Sequence, residues 1–221
     1  MEFTAMTMKL VQRNPGTYDL YICDEIVPNL QTLFGMQRSD TSQKSILEQL
    51  ERAEGASQIN ICINSIGGSV KEGYGIYAAL LRHPARKTAY IDGVANSIAS
   101  VIAMAADEIV MHPGSSMGIH NMEVCCSGNA ADLRKMADSL DKLMEGSRKI
   151  YLDRSGGKLT EEKLKELLDA ETILTPKECM EYGFCDRIEE RRREPPPAPD
   201  EGTAPKPQEE KTLEQILESW R

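Results

Sequence analysis

The 221-residue sequence predicts an α/β domain in which a repeated strand–helix unit builds a sheet covered by helices, followed by a separate proline-rich tail. Three observations predict it. Gln58 to Asn64 is an alternating run, with Ile59, Ile61 and Ile63 set against Asn60 and Cys62, the pattern of a strand with one buried face. Strand-like runs take turns with amphipathic stretches along the chain, which implies a sheet with right-handed crossovers. Six of the eleven prolines fall at 195, 196, 197, 199, 205 and 207, beyond the last strand-like run, and mark an extended, unpacked segment.

Tyr18 to Cys23 reads as the first strand and Gln58 to Asn64 as the second. Between them, Ser45 to Ala53 carries Ile46, Leu47 and Leu50 at helical spacing. After the second strand comes Ser65-Ile66-Gly67-Gly68-Ser69, then a helix striped by Val70, Tyr74, Tyr77 and Leu81 and closed by His83-Pro84. Thr88 to Asp92 is a third strand that leads into Gly93-Val94-Ala95-Asn96-Ser97-Ile98-Ala99-Ser100. Small residues dominate from there to Ala106, which suits a tightly packed helix. Short strands are expected at Glu108–Met111 and around Met117–His120.

Asn129 to Asp153 is the longest helical segment. Its Leu133, Met136, Leu140, Leu143 and Ile150 form a narrow seam closely flanked by charges, which suits core packing and self-association equally well. Thr160 begins a shorter helix. Another opens with Thr175-Pro176-Lys177-Glu178, an N-cap with proline at the first helical position and glutamate three residues on. Gly183 closes it, and Phe184 to Ile188 returns to strand. The chain thus divides into an N-terminal segment (1–17), an α/β domain (18–188), a proline-rich linker (189–211) and a short amphipathic helix (212–221). In that last helix Leu213, Ile216, Leu217 and the only tryptophan, Trp220, share a face.

Composition narrows the function. A net charge of −9 argues against general affinity for nucleic acid or anionic lipid. The one basic run, Arg191-Arg192-Arg193, is flanked by Glu189, Glu190 and Glu194 and reads as a solvated boundary. No stretch approaches the roughly 20 apolar residues of a membrane span, and Met1 to Leu10 lacks the apolar core of a secretory signal, so a cytoplasmic protein is expected. Cys23, Cys62, Cys125, Cys126, Cys179 and Cys185 lack zinc-ligand spacing and read as free thiols. No metal or other cofactor is expected.

Three features carry chemistry. The Gly67-Gly68 pair directly after a strand provides backbone that approaches a ligand closely and aims its N–H groups outward. Ser97 lies in a Gly/Ala-rich turn at the start of a helix, where its hydroxyl is accessible and the next N–H points the same way. His120, 23 residues on and near a strand end, has an imidazole able to take that hydroxyl's proton near pH 7. No G-x-S-x-G motif is present, so an α/β-hydrolase elbow gains no support.

Taken together, Asn64-Ser65-Ile66-Gly67-Gly68-Ser69-Val70, Gly93 to Ser100, Met117-Gly118-Ile119-His120-Asn121 and Leu174 to Gly183 resemble, in order and spacing, the proteolytic subunit of the Clp protease family over residues 18–188. Ser100 to Glu108 is most similar to the phage and prophage branch, grouped with head-maturation proteases. The resemblance implies the repeated ββα sheet domain shared with crotonases, with a long protruding helix at 129–153. It implies Ser97 as nucleophile, His120 as general base, and the backbone N–H groups of Gly68 and Ile98 as an oxyanion hole. The family's third triad member aligns with Glu171, and Asp169 two residues earlier is the other candidate.

The resemblance further implies a protein or peptide substrate and a homo-oligomer of stacked rings. It matches the long helix to the ring-to-ring contact, which tips the seam toward self-association. An ATP-dependent unfoldase is the usual partner, although the first 17 residues do not match the family's pore loops. Ile66 and Asn96 stand where the family has Pro and commonly Ala. A crotonase-type enzyme would need a positioned carboxylate and no Ser–His pair. A Ser–Lys peptidase would need a lysine base and a membrane segment. A ring-forming scaffold without activity is the remaining alternative.

Overall fold

A computed structural model describes residues 10–28 and 41–189. The sheet starts with a hairpin, β1 (Leu10–Asn14) running antiparallel to β2 (Thr17–Ile26). β2, β3 (Gln58–Gly68), β4 (Arg86–Asn96), β5 (Glu108–Met111) and β8 (Arg187–Ile188) then pair in parallel, in that spatial order. The helices are α1 (Gln43–Arg52), α2 (Val70–Arg82), α3 (Ile98–Ala103), α4 (Ala130–Ser155), α5 (Glu161–Asp169) and α6 (Pro176–Tyr182). This is the α/β architecture expected, with a long helix on a helix-covered sheet.

The alternation of β3 explains how the sheet sits. Ile59, Ile61 and Ile63 are fully buried and pack with Leu20, Ile22 and Ile91 of the neighbouring strands and with Ile46, Ile76 and Leu80 of α1 and α2. Burial of such side chains contributes about 1.5–3 kcal/mol each. The other face of the strand is polar and half exposed. There Asn60 donates to Asp19 at 2.8 Å, and Asp19 also pairs with Arg13 of β1.

β4 changes partner part-way along, and this positions the site. Its first half, Thr88–Ile91, pairs with β5, and its last residues, Val94–Asn96, pair with β6 (Ser116–Ile119). β7 (Thr172–Leu174) lies antiparallel to β6, with Ile119 opposite Thr172. Ser97 follows the end of β4 and His120 follows the end of β6, so adjacent strands deliver both residues to one edge of the fold.

The helix ends follow their sequence signals. Thr175 and Glu178 form a reciprocal capping box on α6, Thr160 caps α5, and Gly183 terminates α6. The stretch expected as a strand at Phe184–Ile188 is a strand only at Arg187–Ile188. Phe184 and Cys185 instead donate their N–H groups to the Cys179 carbonyl, using α6's unsatisfied end.

α4 packs only part of its seam on this chain, with Ile150 against the core. Its buried face is Met144, Ser147, Tyr151 and Ser155, spaced three and four apart. Leu133, Met136 and Leu143 are exposed, so the first half of the helix lies outside this chain's core. Residues 10–14 of the expected N-terminal segment supply an edge strand. The proline-rich linker past Glu189 and the Leu213–Trp220 stripe lie outside the described residues. Among the described residues no helix is long and apolar enough to cross a membrane.

Candidate active site

Ser97 occupies a sharp strand-to-helix turn with φ +55° and ψ −130°, a conformation that costs a non-glycine residue about 1–3 kcal/mol. The surrounding bonds hold it there. Its N–H donates to the Gly118 carbonyl at 2.8 Å, and its own carbonyl accepts from the Ser100 hydroxyl at 2.5 Å. A turn of this strain needs no G-x-S-x-G pattern when the crowding glycine comes from another strand.

Gly67 is that glycine. Its φ is +95°, and a Cβ on it would lie 2.7 Å from both the Asn96 carbonyl oxygen and Ser97 Cβ. Gly68, at φ +139°, has the Ile26 carbonyl oxygen 2.3 Å from where a Cβ would be. The pair is therefore fixed by close backbone approach as well as by dihedral freedom. Ser65 pins the same loop, its hydroxyl donating to the Asp24 carbonyl at 2.5 Å and accepting from the Gly67 N–H at 3.2 Å. Ile98 opens α3 directly after Ser97, and no side chain caps this helix start.

Gly68, Ser97, Ile98 and His120 all line one cavity of about 230 Å³, which is floored by Met144 and Tyr151 of α4. Three separate stretches of the chain, at Gly68, at Ser97-Ile98 and at His120, thus meet at one cavity. Among the described residues the Ser97 hydroxyl hydrogen-bonds to no other group.

His120 is half buried, and its Nδ1 lies 2.6 Å from the Asn121 carbonyl oxygen. A carbonyl only accepts, so Nδ1 carries the proton and Nε2 is left as the basic nitrogen. The two carboxylates proposed from sequence are both exposed, and neither lines the cavity. Asp169, the last residue of α5, accepts from the Asn121 side-chain amide at 2.7 Å. Glu171 sits in the turn into β7 with φ +49°, and its N–H donates to the Leu168 carbonyl at 3.2 Å. The carboxylate in contact with the His120 segment is thus Asp169, and it reaches that segment through Asn121.

The cavity floor is tied down by hydroxyl pairs. Ser100 Oγ and Tyr151 OH lie 2.7 Å apart, as do Tyr74 OH and Ser147 Oγ. Tyr151 also packs against Phe184 at 5.4 Å between ring centroids. Burial pushes the Tyr151 phenol above its ordinary range, so it stays protonated and binds as a neutral hydroxyl. Asn121, Met144 and Tyr151 were not legible as site residues. The only available signal was the spacing of 144, 147, 151 and 155, which half-polar composition disguises. Among the described residues no group of three or more His, Cys, Asp or Glu could hold a metal ion.

The model of the Clp protease family matches residues 19–192 of the chain. The chain belongs to the Clp protease family. Members of this family are peptidases, hydrolases that act on protein substrates, and they usually assemble into oligomeric rings. The match runs from Asp19 within β2 through β8 and takes in every helix described.

Proposed function

We propose that this Clp protease family member is a serine endopeptidase in which Ser97 attacks the peptide carbonyl and His120 serves as general base. The observation that carries the reading is the strained Ser97 turn opening onto the same cavity as His120, Gly68 and Ile98. Ser97 Oγ bonds to the carbonyl carbon as its proton passes to His120 Nε2. The oxyanion that forms is held by the Gly68 and Ile98 N–H groups, and losing one such donor typically costs about 10²–10³ in rate. His120 then gives its proton to the leaving amine, and water repeats the sequence on the acyl-enzyme. Glu171 and Asp169 are the two carboxylates offered for orienting His120.

The substrates are unfolded or assembly-related proteins, cleaved inside a chamber of stacked rings in the cytoplasm. The likeness of Ser100 to Glu108 to the phage and prophage branch supports the assembly-related class. An ATP-dependent unfoldase belongs to the same reading. Exposed Leu133, Met136 and Leu143 on the protruding half of α4 support the ring-to-ring contact. Leu133→Asp combined with Leu143→Asp is expected to halve the particle mass in sedimentation velocity while leaving the helical circular dichroism intact. An unchanged particle mass contradicts that role for α4.

The activity itself is tested by turnover of a fluorogenic peptide. The wild-type chain is expected to cleave it and Ser97→Ala to fall to background. Cleavage that survives in Ser97→Ala overturns the assignment.

A further inference from the structure

The peptide unit between Asn121 and Met122 is held at three points. Its carbonyl lies 2.6 Å from His120 Nδ1. Its N–H, that of Met122, donates to Met144 Sδ at 3.3 Å, and Met144 is buried on α4. The Asn121 side chain, one bond from the same peptide, donates from Nδ2 to Asp169 Oδ1 at 2.7 Å. α4 and the end of α5 thus fix from two sides the orientation of the one carbonyl that holds His120. In a direct triad a carboxylate accepts from Nδ1 and fixes the tautomer. Here the acceptor is main chain, and the nearest hydrogen-bonded carboxylate stands one residue removed from it.

We propose that Asn121 is a positioning residue for His120, and that Asp169 acts through it by anchoring its side-chain amide rather than by contacting the imidazole. The proposal rests on the reading of Ser97 and His120 as nucleophile and base. It separates the two roles Asp169 could have by the kind of group each needs. An anchor for Asn121 Nδ2 needs only an acceptor, which an amide oxygen supplies as well as a carboxylate does. A direct partner of Nδ1–H needs the anion, because an amide at that position favours the wrong tautomer and costs about 10⁴ in turnover.

The experiment is steady-state turnover of a fluorogenic peptide by the assembled protein, with Ser97→Ala as reference. Asn121→Ala and Asp169→Ala are each expected to lower kcat about tenfold with KM unchanged, the scale of one lost positioning hydrogen bond. The double variant is expected to be no slower than either single one, since both remove the same contact. Asp169→Asn is expected to regain most of what Asp169→Ala loses. A fall near 10⁴ in Asp169→Asn, additive losses in the double variant, or full kcat in Asn121→Ala each overturns the proposal. If Ser97→Ala itself keeps turnover, the fault lies in the underlying reading of the nucleophile.

Discussion

His120→Ala is expected to lower kcat for peptide hydrolysis by about 10⁶ with little change in KM, the scale seen when one member of a nucleophile–base pair is removed. Without the imidazole the Ser97 hydroxyl has no acceptor for its proton, and the leaving amine has no donor. On the proposed reading substrate is held instead by the cavity walls at Met144 and Tyr151 and by the Gly68 backbone, and all three line the cavity independently of His120. The effect therefore falls on the chemical step. His112 serves as the matching control, because its imidazole faces Asp92 and Glu189 at 3.7 and 3.9 Å and does not line the cavity. His112→Ala is expected to leave kcat within about twofold, as an exposed charge contact contributes little. Equal losses in the two histidine variants contradict the assignment of His120.

Gly67→Ala is expected to lose both stability and turnover. A Cβ at φ +95° is strained wherever it sits, by roughly 1–2 kcal/mol. Here it also meets the Asn96 carbonyl and Ser97 Cβ at 2.7 Å, and neither is the free end of a flexible side chain. Overpacking of that kind costs about 1–3 kcal/mol more. The sum corresponds to a fall in Tm of roughly 5–15 °C for a domain of this size. Relief of the clash must move Ser97 or the β3 end, and a shift of about 1 Å at a reacting atom costs about 10² in rate. Gly55 separates the two contributions, since its φ is +81° but nothing lies within 4 Å of its absent Cβ. Gly55→Ala is expected to show the strain alone, with turnover untouched. Wild-type stability and turnover in Gly67→Ala would contradict the crowded-turn account of Ser97.

Much of this was legible because local chemistry and fold agree. Alternating isoleucines on β3 have no stable home except a half-buried strand, and the Thr175–Glu178 box has one local use. Gly68, Ser97, Ile98 and His120 could be read as a set because each lies at or just past a strand end, where a sheet exposes its loops together. What could not be read depends on long-range contact. β1 is an edge strand with no alternation, held by pairing to β2. The tight approach to Ser97 is made by Gly67, thirty residues earlier, where a Cβ would lie 2.7 Å from Ser97 Cβ. The carboxylate question turns on a hydrogen bond between residues 48 positions apart, Asn121 and Asp169, which no spacing rule anticipates. The seam on α4 was ambiguous for a related reason. Leu133, Met136 and Leu143 are exposed while Ile150 packs against the core, and the fully buried face is built of Met, Ser and Tyr.

The claim that Ser97 is the nucleophile of a serine peptidase is tested most directly with a fluorophosphonate probe, which forms a covalent bond only with an activated serine. Digestion and mass spectrometry of the labelled, assembled protein are expected to place the adduct on Ser97. Labelling is expected to vanish in Ser97→Ala and to fall sharply in His120→Ala. An adduct on any other serine, or equal labelling without Ser97, would contradict the account.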